Sequence, residues 1–309
     1  MKKQNYQFVE GVLIALGGAI LFSTKAIFVK LAYRDAVVSA LTLLALRMVF
    51  SLPFFVGAAF VSSTKSDNVK FSKKEWIGIA VIGCLGYYVS SLLDFVGLKY
   101  VSAGIERLIL FSYPTFALLM SAVIFKQAVK PVQWLALAVT YVGLAVAFFG
   151  EVDFSAAQNP NFFFGSVMIF ICAITYAGYM VGSGQIIPKV GATKFNSYAM
   201  SFAAAGVLIH FVVAHGGSLF QQPFIIYAYS FLMAIFATVL PSYMVAASIN
   251  KIGSNNVAII GSVGPVSTII LANVFLDEAI TFWQLLGTAM ILVGVLLIGK
   301  QKNSITEEG

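Results

Sequence analysis

The feature that most restricts this chain is a series of long apolar segments separated by short polar ones. About 20 consecutive apolar residues are long enough to cross a bilayer as an α-helix. The ten segments of this kind are 8–32, 37–61, 76–97, 101–125, 131–150, 162–183, 195–214, 223–248, 254–276 and 280–299. Lipid offers backbone groups no hydrogen-bond partner, and a helix satisfies its own groups. The sequence therefore predicts an all-α membrane protein with ten transmembrane helices.

Composition excludes the other common classes of protein. Hydrophobic residues make up 60% of the chain and charged residues only 10%, whereas soluble domains carry roughly 25% charged residues. A membrane β-barrel would show alternating segments of about ten residues, and these apolar runs are continuous. The net charge of +7 lies mainly in short connecting segments. We therefore expect a lipid bilayer around the chain and no nucleic-acid partner.

The distribution of basic residues predicts the orientation of the chain. With the N-terminus in the cytoplasm, thirteen of the 19 lysines and arginines fall on the cytoplasmic side, three on the opposite side and three inside spans. Such an excess marks cytoplasmic loops in membrane proteins. The pattern predicts a multi-pass protein of the cytoplasmic (inner) membrane with both termini in the cytoplasm.

The two halves of the sequence align with each other. Residues 114–143 align without gaps on residues 265–294, at an offset of 151. Each half has five spans, an odd number, so the halves are predicted to cross the membrane in opposite directions. The predicted divisions are a first repeat at 1–150, a connecting loop at 151–160, a second repeat at 161–300 and a cytoplasmic tail at 301–309. Inverted repeats are typical of secondary transporters.

Several motifs are similar to those of a known family. The first span reads GVLIALGGAILFSTKAIFVKLA, and the junction of spans three and four reads LLDFVGLKYVSAGIERLILFSYPTF. The fifth and tenth spans end in YVGLAVAFFG and ILVGVLLIG. Over about residues 8–300, the chain resembles the drug/metabolite transporter superfamily, in its ten-helix branch with two EamA-type repeats. Where that family often has Gly-Glu after span four, this chain has Lys126-Gln127, and Asp277-Glu278 in the second half.

The resemblance implies a basket of helices around a central cavity, alternating access, and export of amino acids or related metabolites. We expect spans one, three, four, six, eight and nine to line this cavity. Spans five and ten, which have a uniform apolar texture without charge, are expected at the periphery.

Ionisable residues inside spans are the first candidates for a functional site, because such residues are costly in lipid and usually face a cavity or a partner. Lys25 either pairs with Asp94 or Glu106 or contacts the substrate. Arg47 either binds backbone carbonyls of a neighbouring helix or binds a carboxylate, to which its geometry is suited. The charges of these groups with Arg107 sum to +1, from three cations and two anions, which favours an anionic substrate.

Three of these residues are candidates for gating or proton coupling. Glu106 and Arg107 are neighbours and point in different directions on a helix. One of them is expected to face the cavity and the other to close an outer gate with Asp94. A carboxylate in a low-dielectric setting is a suitable proton carrier, and a purely structural salt bridge is the alternative.

Aromatic and hydroxyl side chains beside helix-breaking prolines complete the candidate site. A tyrosine offers a cavity both a π face and a hydroxyl group, and proline frees a backbone carbonyl. With Lys25 and Arg47, the predicted substrate-binding residues are Tyr87, Tyr88, Tyr113, Tyr176, Tyr179, Ser242, Tyr243 and Ser262.

The sequence thus predicts a secondary active transporter whose partner is a small polar metabolite bearing a carboxylate. A carrier of lipophilic cations and a lipid flippase-type protein are the alternatives. Motifs of enzymes such as HExxH, GxSxG, the P-loop and CxxC are missing from the sequence, so neither catalysis, a cofactor nor a metal site is expected. A second copy of the chain, in a homodimer, is a further partner that the sequence leaves open.

Overall fold

A computed structural model describes residues 2–64, 71–126, 131–158, 160–215, 218–261 and 263–303, and all the regular elements in these ranges are helical. The helices are α1 (Lys2–Asp35), α2 (Ala40–Ser63), α3 (Lys73–Gly83), α4 (Ser90–Gly97), α5 (Ala103–Leu110), α6 (Tyr113–Ile124), α7 (Pro131–Gln158), α8 (Phe162–Val190), α9 (Ala192–His215), α10 (Phe224–Ala234), α11 (Leu240–Ile260), α12 (Val263–Leu276) and α13 (Phe282–Asn303). A short 3₁₀ helix, Ser218–Phe220, precedes α10.

The prediction of a helical, multi-pass membrane protein is confirmed. Within the described ranges, eight helical stretches are long and apolar enough to cross a membrane. The fifth and tenth predicted spans correspond to α7 and α13, whose apolar stretches, Trp134–Ala147 and Phe282–Gly294, are shorter.

Two of the long helical stretches contain a π-helical turn. Cys84–Val89 joins α3 to α4, and Ile235–Val239 joins α10 to α11. A π-helical turn changes the direction in which the following side chains point, and such turns are frequent at functional sites. The fourth predicted span is divided as well, because the chain leaves helical geometry between α5 and α6, and Pro114 lies in the first turn of α6.

Backbone features recur at the offset that aligns the two halves of the sequence. The two π-helical turns begin 151 residues apart, as do α7 and α13. The described non-glycine residues with positive φ have the same spacing, since they are Lys126 (φ 53°) and Asp277 (φ 56°).

Helices α7 and α13 pack against each other. Their backbones approach closely at glycines: a Cβ atom on Gly287 would lie 2.5 Å from the Gly143 carbonyl oxygen. Small residues allow such contacts between membrane helices, where van der Waals packing drives association. On their outer faces, Trp134 is 57% exposed and Leu286 is 38% exposed.

The ends of some helices differ from the expected boundaries. The segment 151–160, predicted as a connecting loop, is helical as far as Gln158, because its first eight residues include neither proline nor glycine to interrupt α7. Helix α8 likewise extends past residue 183 to Val190. Apolar length marks the part of a helix that suits lipid, whereas the helix itself continues into polar sequence.

Candidate functional site

A cavity of about 80 Å³ lies between the helices at the centre of the protein. Its lining consists of Ala15, Ala19, Phe22, Lys25, Arg47, Gly86, Tyr87, Ser90, Ser91, Asp94, Arg107, Leu110, Tyr113, Cys172, Tyr176, Met180, Ala237, Thr238, Val245, Val257 and Gly261. These residues confirm that predicted spans one, three, four, six, eight and nine surround the cavity. Arg47, a predicted binding residue, also lines the cavity, although its span, the second, was not among the spans expected there. Of the described residues, none from α7 or α13 lines the cavity.

Lys25 lies between two buried carboxylates. Its Nζ atom is 2.7 Å from Oδ2 of Asp94 and 3.5 Å from Oε1 of Glu106. The side chains of both acids are 0% exposed, and that of Lys25 is 12% exposed. The three groups come from α1, α4 and α5, so the cluster joins three elements. The ion pair expected of Lys25 is present, and its place in the cavity wall leaves its ammonium group close to any bound molecule.

Arg47 is the most buried cation of the cavity wall, at 2% exposure. Its guanidinium carbon lies 4.9 Å from the centroid of the Phe95 ring, a cation–π distance. Among the described residues, its Nε and Nη2 atoms find no hydrogen-bond acceptor. One interpretation of Arg47 was that it binds backbone carbonyls of a neighbouring helix. These two atoms make no such bond.

Arg107 approaches the cavity from the α5 side. Its guanidinium group packs on Gly264 of α12, where an added Cβ would lie 2.9 Å from Cζ, so a larger residue there would displace the guanidinium group. Its Nε atom also finds no acceptor among the residues that the structure describes. Glu106 points instead to Lys25, so the two neighbours diverge as expected. One of these two neighbours was predicted to close an outer gate with Asp94. Within the described part of the chain, the group that pairs with Asp94 is Lys25 rather than Arg107.

Four of the predicted tyrosines form one aromatic group. Tyr87, Tyr113 and Tyr176 line the cavity. The rings of Tyr113 and Tyr176 meet edge to face with centroids 5.0 Å apart, and Tyr179 stacks on Tyr176 at 5.7 Å. Tyr179 is fully buried behind this wall, where it meets Tyr87 at 4.9 Å. Three tyrosines thus face the cavity, and the fourth supports them.

Tyr88 points away from the cavity wall. Its hydroxyl lies 2.9 Å from Nδ1 of His210, on α9. Neighbouring residues on a helix point in different directions, and of this pair Tyr87 is the one that lines the cavity. Ser262, also predicted to bind substrate, lies outside the described residues.

Two further candidates on α11 make contacts with α9 instead of lining the cavity. Asn196 donates a hydrogen bond to the Ser242 hydroxyl at 3.0 Å. The hydroxyls of Tyr243 and Ser197 lie 2.7 Å apart. The structure therefore separates Ser242 and Tyr243 from the charged cluster.

Several polar residues of the cavity wall were not among the predicted binding residues. Ser90, Ser91 and Thr238 line it. Ser90 and Ser91 precede Asp94 by four and three residues in α4, the spacing of side chains on one helix face. Testing which residues share a face with Asp94 would have found them. Thr238 lies in the second π-helical turn, for which helical periodicity gives no signal.

The two cysteines are not joined to each other. Cys84 and Cys172 are free thiols. Over the described ranges, no group of three His, Cys, Asp or Glu side chains is placed to hold a metal ion.

Comparison with known proteins identifies the family of the chain. The chain is 27% identical over 281 residues to a protein of Bacillus subtilis (strain 168), "Uncharacterized transporter YcbK", covering 90% of this chain and 88% of the relative. It is 22% identical to "Uncharacterized transporter sll1319" of Synechocystis sp. (strain ATCC 27184 / PCC 6803 / Kazusa), covering 95% and 94%. A solved crystal structure shares the fold, with a TM-score of 0.67 at 17% identity over 96% of this chain and 98% of that one. The model of the EamA-like transporter family matches residues 9–149 and 163–300, and the chain therefore belongs to the EamA-like transporter family.

Proposed function

We propose that this transporter is a secondary carrier of small polar metabolites bearing a carboxylate, such as amino acids, and that it exports them by alternating access. The observation that carries this proposal is Arg47, a buried guanidinium group in the cavity wall whose Nε and Nη2 atoms lack an acceptor among the described residues. A carboxylate satisfies such a group through two parallel hydrogen bonds. Its negative charge also compensates a cation that is otherwise costly to bury.

Arg107 strengthens the preference for an anion. It lies in the same cavity wall, and its Nε atom likewise lacks an acceptor in the described ranges. Asp94 of the cavity wall and the buried Glu106 beside it are already close to Lys25, so the two guanidinium groups are the cations that remain for a ligand. Tyr87, Tyr113 and Tyr176 offer ring faces and edges to the rest of the molecule.

We further propose the architecture of ten membrane-crossing helices in two inverted repeats, at 1–150 and 161–300, in the cytoplasmic membrane. The recurrence of π-helical turns, positive-φ residues and helix starts at an offset of 151 supports this division. Inverted repeats place a substrate site near the middle of the membrane, at the repeat interface. The cavity, lined from both halves of the chain, is such an interface.

The Lys25 cluster is the proposed site of proton coupling. One ammonium group faces two carboxylates, which leaves one negative charge in excess when all three are ionised. A proton on either acid would neutralise the cluster, and its departure would restore the charge. Ionisable chains inside membrane proteins commonly serve as proton relays.

A carboxylate is expected to stabilise the purified transporter against heat where its neutral analogue does not. Amino acids and other small carboxylic acids would be compared by thermal shift with their amides and esters. A ligand present at 100 times its Kd contributes about 2.7 kcal/mol to stability. Acids that raise Tm would then be tested for flux in liposomes.

The same screen examines the alternative of a lipophilic-cation carrier, which the two buried acids and the tyrosines of the cavity favour. Stabilisation and flux with aromatic cations, and with none of the carboxylates, would overturn the proposed substrate class.

The proposed orientation predicts opposite labelling of two exposed positions. Val37 follows α1 and Lys189 lies near the end of α8. In a C84S/C172S background, V37C is expected to react with an impermeant maleimide on intact cells, and K189C only after the cells are lysed. The reverse pattern, or reaction of both variants from outside, would contradict the orientation.

A further inference from the structure

The turn between α12 and α13 contacts the start of α5, which is distant in sequence. Glu278 in this turn accepts hydrogen bonds from two backbone N–H groups, of Ala103 at 3.0 Å and of Gly104 at 3.3 Å. The first amides of a helix have no partner inside the helix. The carboxylate supplies that partner from a segment more than 170 residues further along the chain.

The start of α5 does not need Glu278 in order to be capped. Its own N-cap residue, Ser102, accepts a hydrogen bond from the Ile105 amide at 3.2 Å. A local serine cap is a sufficient start signal for many helices. The bonds of Glu278 therefore join two distant elements, in addition to completing a helix end.

The same corner of the protein is also held by α1. Lys30 donates to the carbonyl oxygens of Leu98 at 3.3 Å and Val101 at 3.0 Å. Lys30 thus binds carbonyl groups of the turn from α4 to α5, and Glu278 binds the backbone amides that follow this turn. Opening the protein at this corner requires these bonds to break or to move together.

Helix α5 connects this corner to the cavity. It carries Glu106 and Arg107, which are three and four residues after Ala103. Arg107 in turn packs on Gly264 of α12, the helix that leads to Glu278. A movement of α5 relative to α12 therefore displaces groups of the charged cluster and the cavity wall.

We propose that Glu278 is a positioning residue that latches α5 to the α12–α13 turn when the cavity is closed at this end, and that release of this latch opens it. The role in transport rests on the proposed alternating access. The hydrogen bonds that break when Glu278 is released are charge-assisted, and such a bond is about twice as strong as a neutral one. Removing the Glu278 carboxylate therefore shifts the equilibrium between the closed and open arrangements of the cavity toward the open one.

Cys172 provides a probe of this opening that requires no substrate. It lines the cavity and is 2% exposed. In a C84S background it is the single cysteine, and its rate of reaction with a water-soluble maleimide, measured in nanodiscs by intact-protein mass spectrometry, reports how often the cavity opens.

We expect E278A to raise this rate at least about tenfold, a change of about 1.4 kcal/mol, because two hydrogen bonds to a charged group are lost. E278Q, which keeps an acceptor oxygen without the charge, should fall between E278A and the parent. E278D, which keeps the carboxylate on a shorter side chain, should restore much of the protection.

Glu75 offers a matched control, because its carboxylate also accepts a bond from a backbone amide at a helix start, that of Ser72 at 2.8 Å. This contact lies within one helix end, so E75A should leave the Cys172 rate unchanged. An E278A rate equal to the parent's would overturn the proposal, as would an equal increase in E75A. If E278A does not fold, the rate in E278Q decides in the same way. A faster rate without carboxylate flux would retain the latch and overturn the proposed substrate.

Discussion

Replacing Arg47 by methionine is expected to abolish carboxylate transport without lowering the heat stability of the protein. The guanidinium group is 2% exposed and, among the described residues, two of its nitrogens find no acceptor. A buried charge in this condition is costly, and apolar residues of similar volume are often neutral or stabilising in its place. We therefore expect the Tm of R47M to equal or exceed that of the parent.

Transport should respond in the opposite direction. Removing one partner of a buried charge pair in an interface costs about 2–5 kcal/mol, so we expect the apparent affinity for a carboxylate to fall at least about 30-fold. R47K keeps the charge and loses the planar fork that binds both oxygens. It should therefore recover only part of the affinity.

Arg34 supplies the control for this prediction. It lies at the end of α1, is exposed, and pairs with its neighbour Asp35 at 3.0 Å. R34M removes the same group from the surface and should change neither Tm nor flux by much, because exposed ion pairs contribute about 0–1 kcal/mol. A large fall in the Tm of R47M, with flux lost only in proportion to folded protein, would identify Arg47 as a structural residue.

Much of this fold could be predicted because lipid imposes a simple rule on the sequence. The cost of unpaired backbone groups in hydrocarbon makes each long apolar run a helix, and the described chain is helical throughout its regular elements. The ion pairs of Lys25 with Asp94 and Glu106 could also be predicted. Buried charges in spans require partners, and these acids were the ones expected at similar depth.

Side-chain direction was harder to predict. In the stretch from α3 to α4, the π-helical turn Cys84–Val89 changes the helical phase, so a regular periodicity cannot show that Tyr87 lines the cavity while Tyr88 contacts His210. Nothing in the sequence around Glu278 indicated its contact with α5. A glutamate in a polar turn is typical of a solvated surface, and its partners are backbone amides, which every sequence has.

Lys25 is the second residue whose replacement should have a large effect, and here stability and transport can be separated by a double substitution. In K25M, Asp94 and Glu106 would face each other without the ammonium group that lies 2.7 Å and 3.5 Å from them. Breaking a buried pair by removing one partner is destabilising by about 3–5 kcal/mol. We expect K25M to have a lower Tm and no flux.

The double variant K25M/D94N removes both partners and keeps the volume of Asp94. Its cluster retains the charge of Glu106 alone, so the net charge of −1 for one lysine and two acids is unchanged. The removal of one positive and one negative group should therefore restore much of the Tm. Transport should stay lost, because the proposed proton coupling depends on the ammonium group and on Asp94.

The ion pair of Lys251 with Glu10, at 2.9 Å between α11 and α1, is the control for removing a pair as such. It is partly exposed, and K251M/E10Q should change stability by less than about 1 kcal/mol and leave flux intact. Full flux in K25M/D94N would show that Lys25 only fixes helix packing. If that variant is as heat-stable as the parent and inactive in liposomes, the Lys25–Asp94 pair acts in the transport cycle itself. The structural reason is that the ammonium group of Lys25 is the one cation of the cluster, and it faces both acids that can bind the coupling proton.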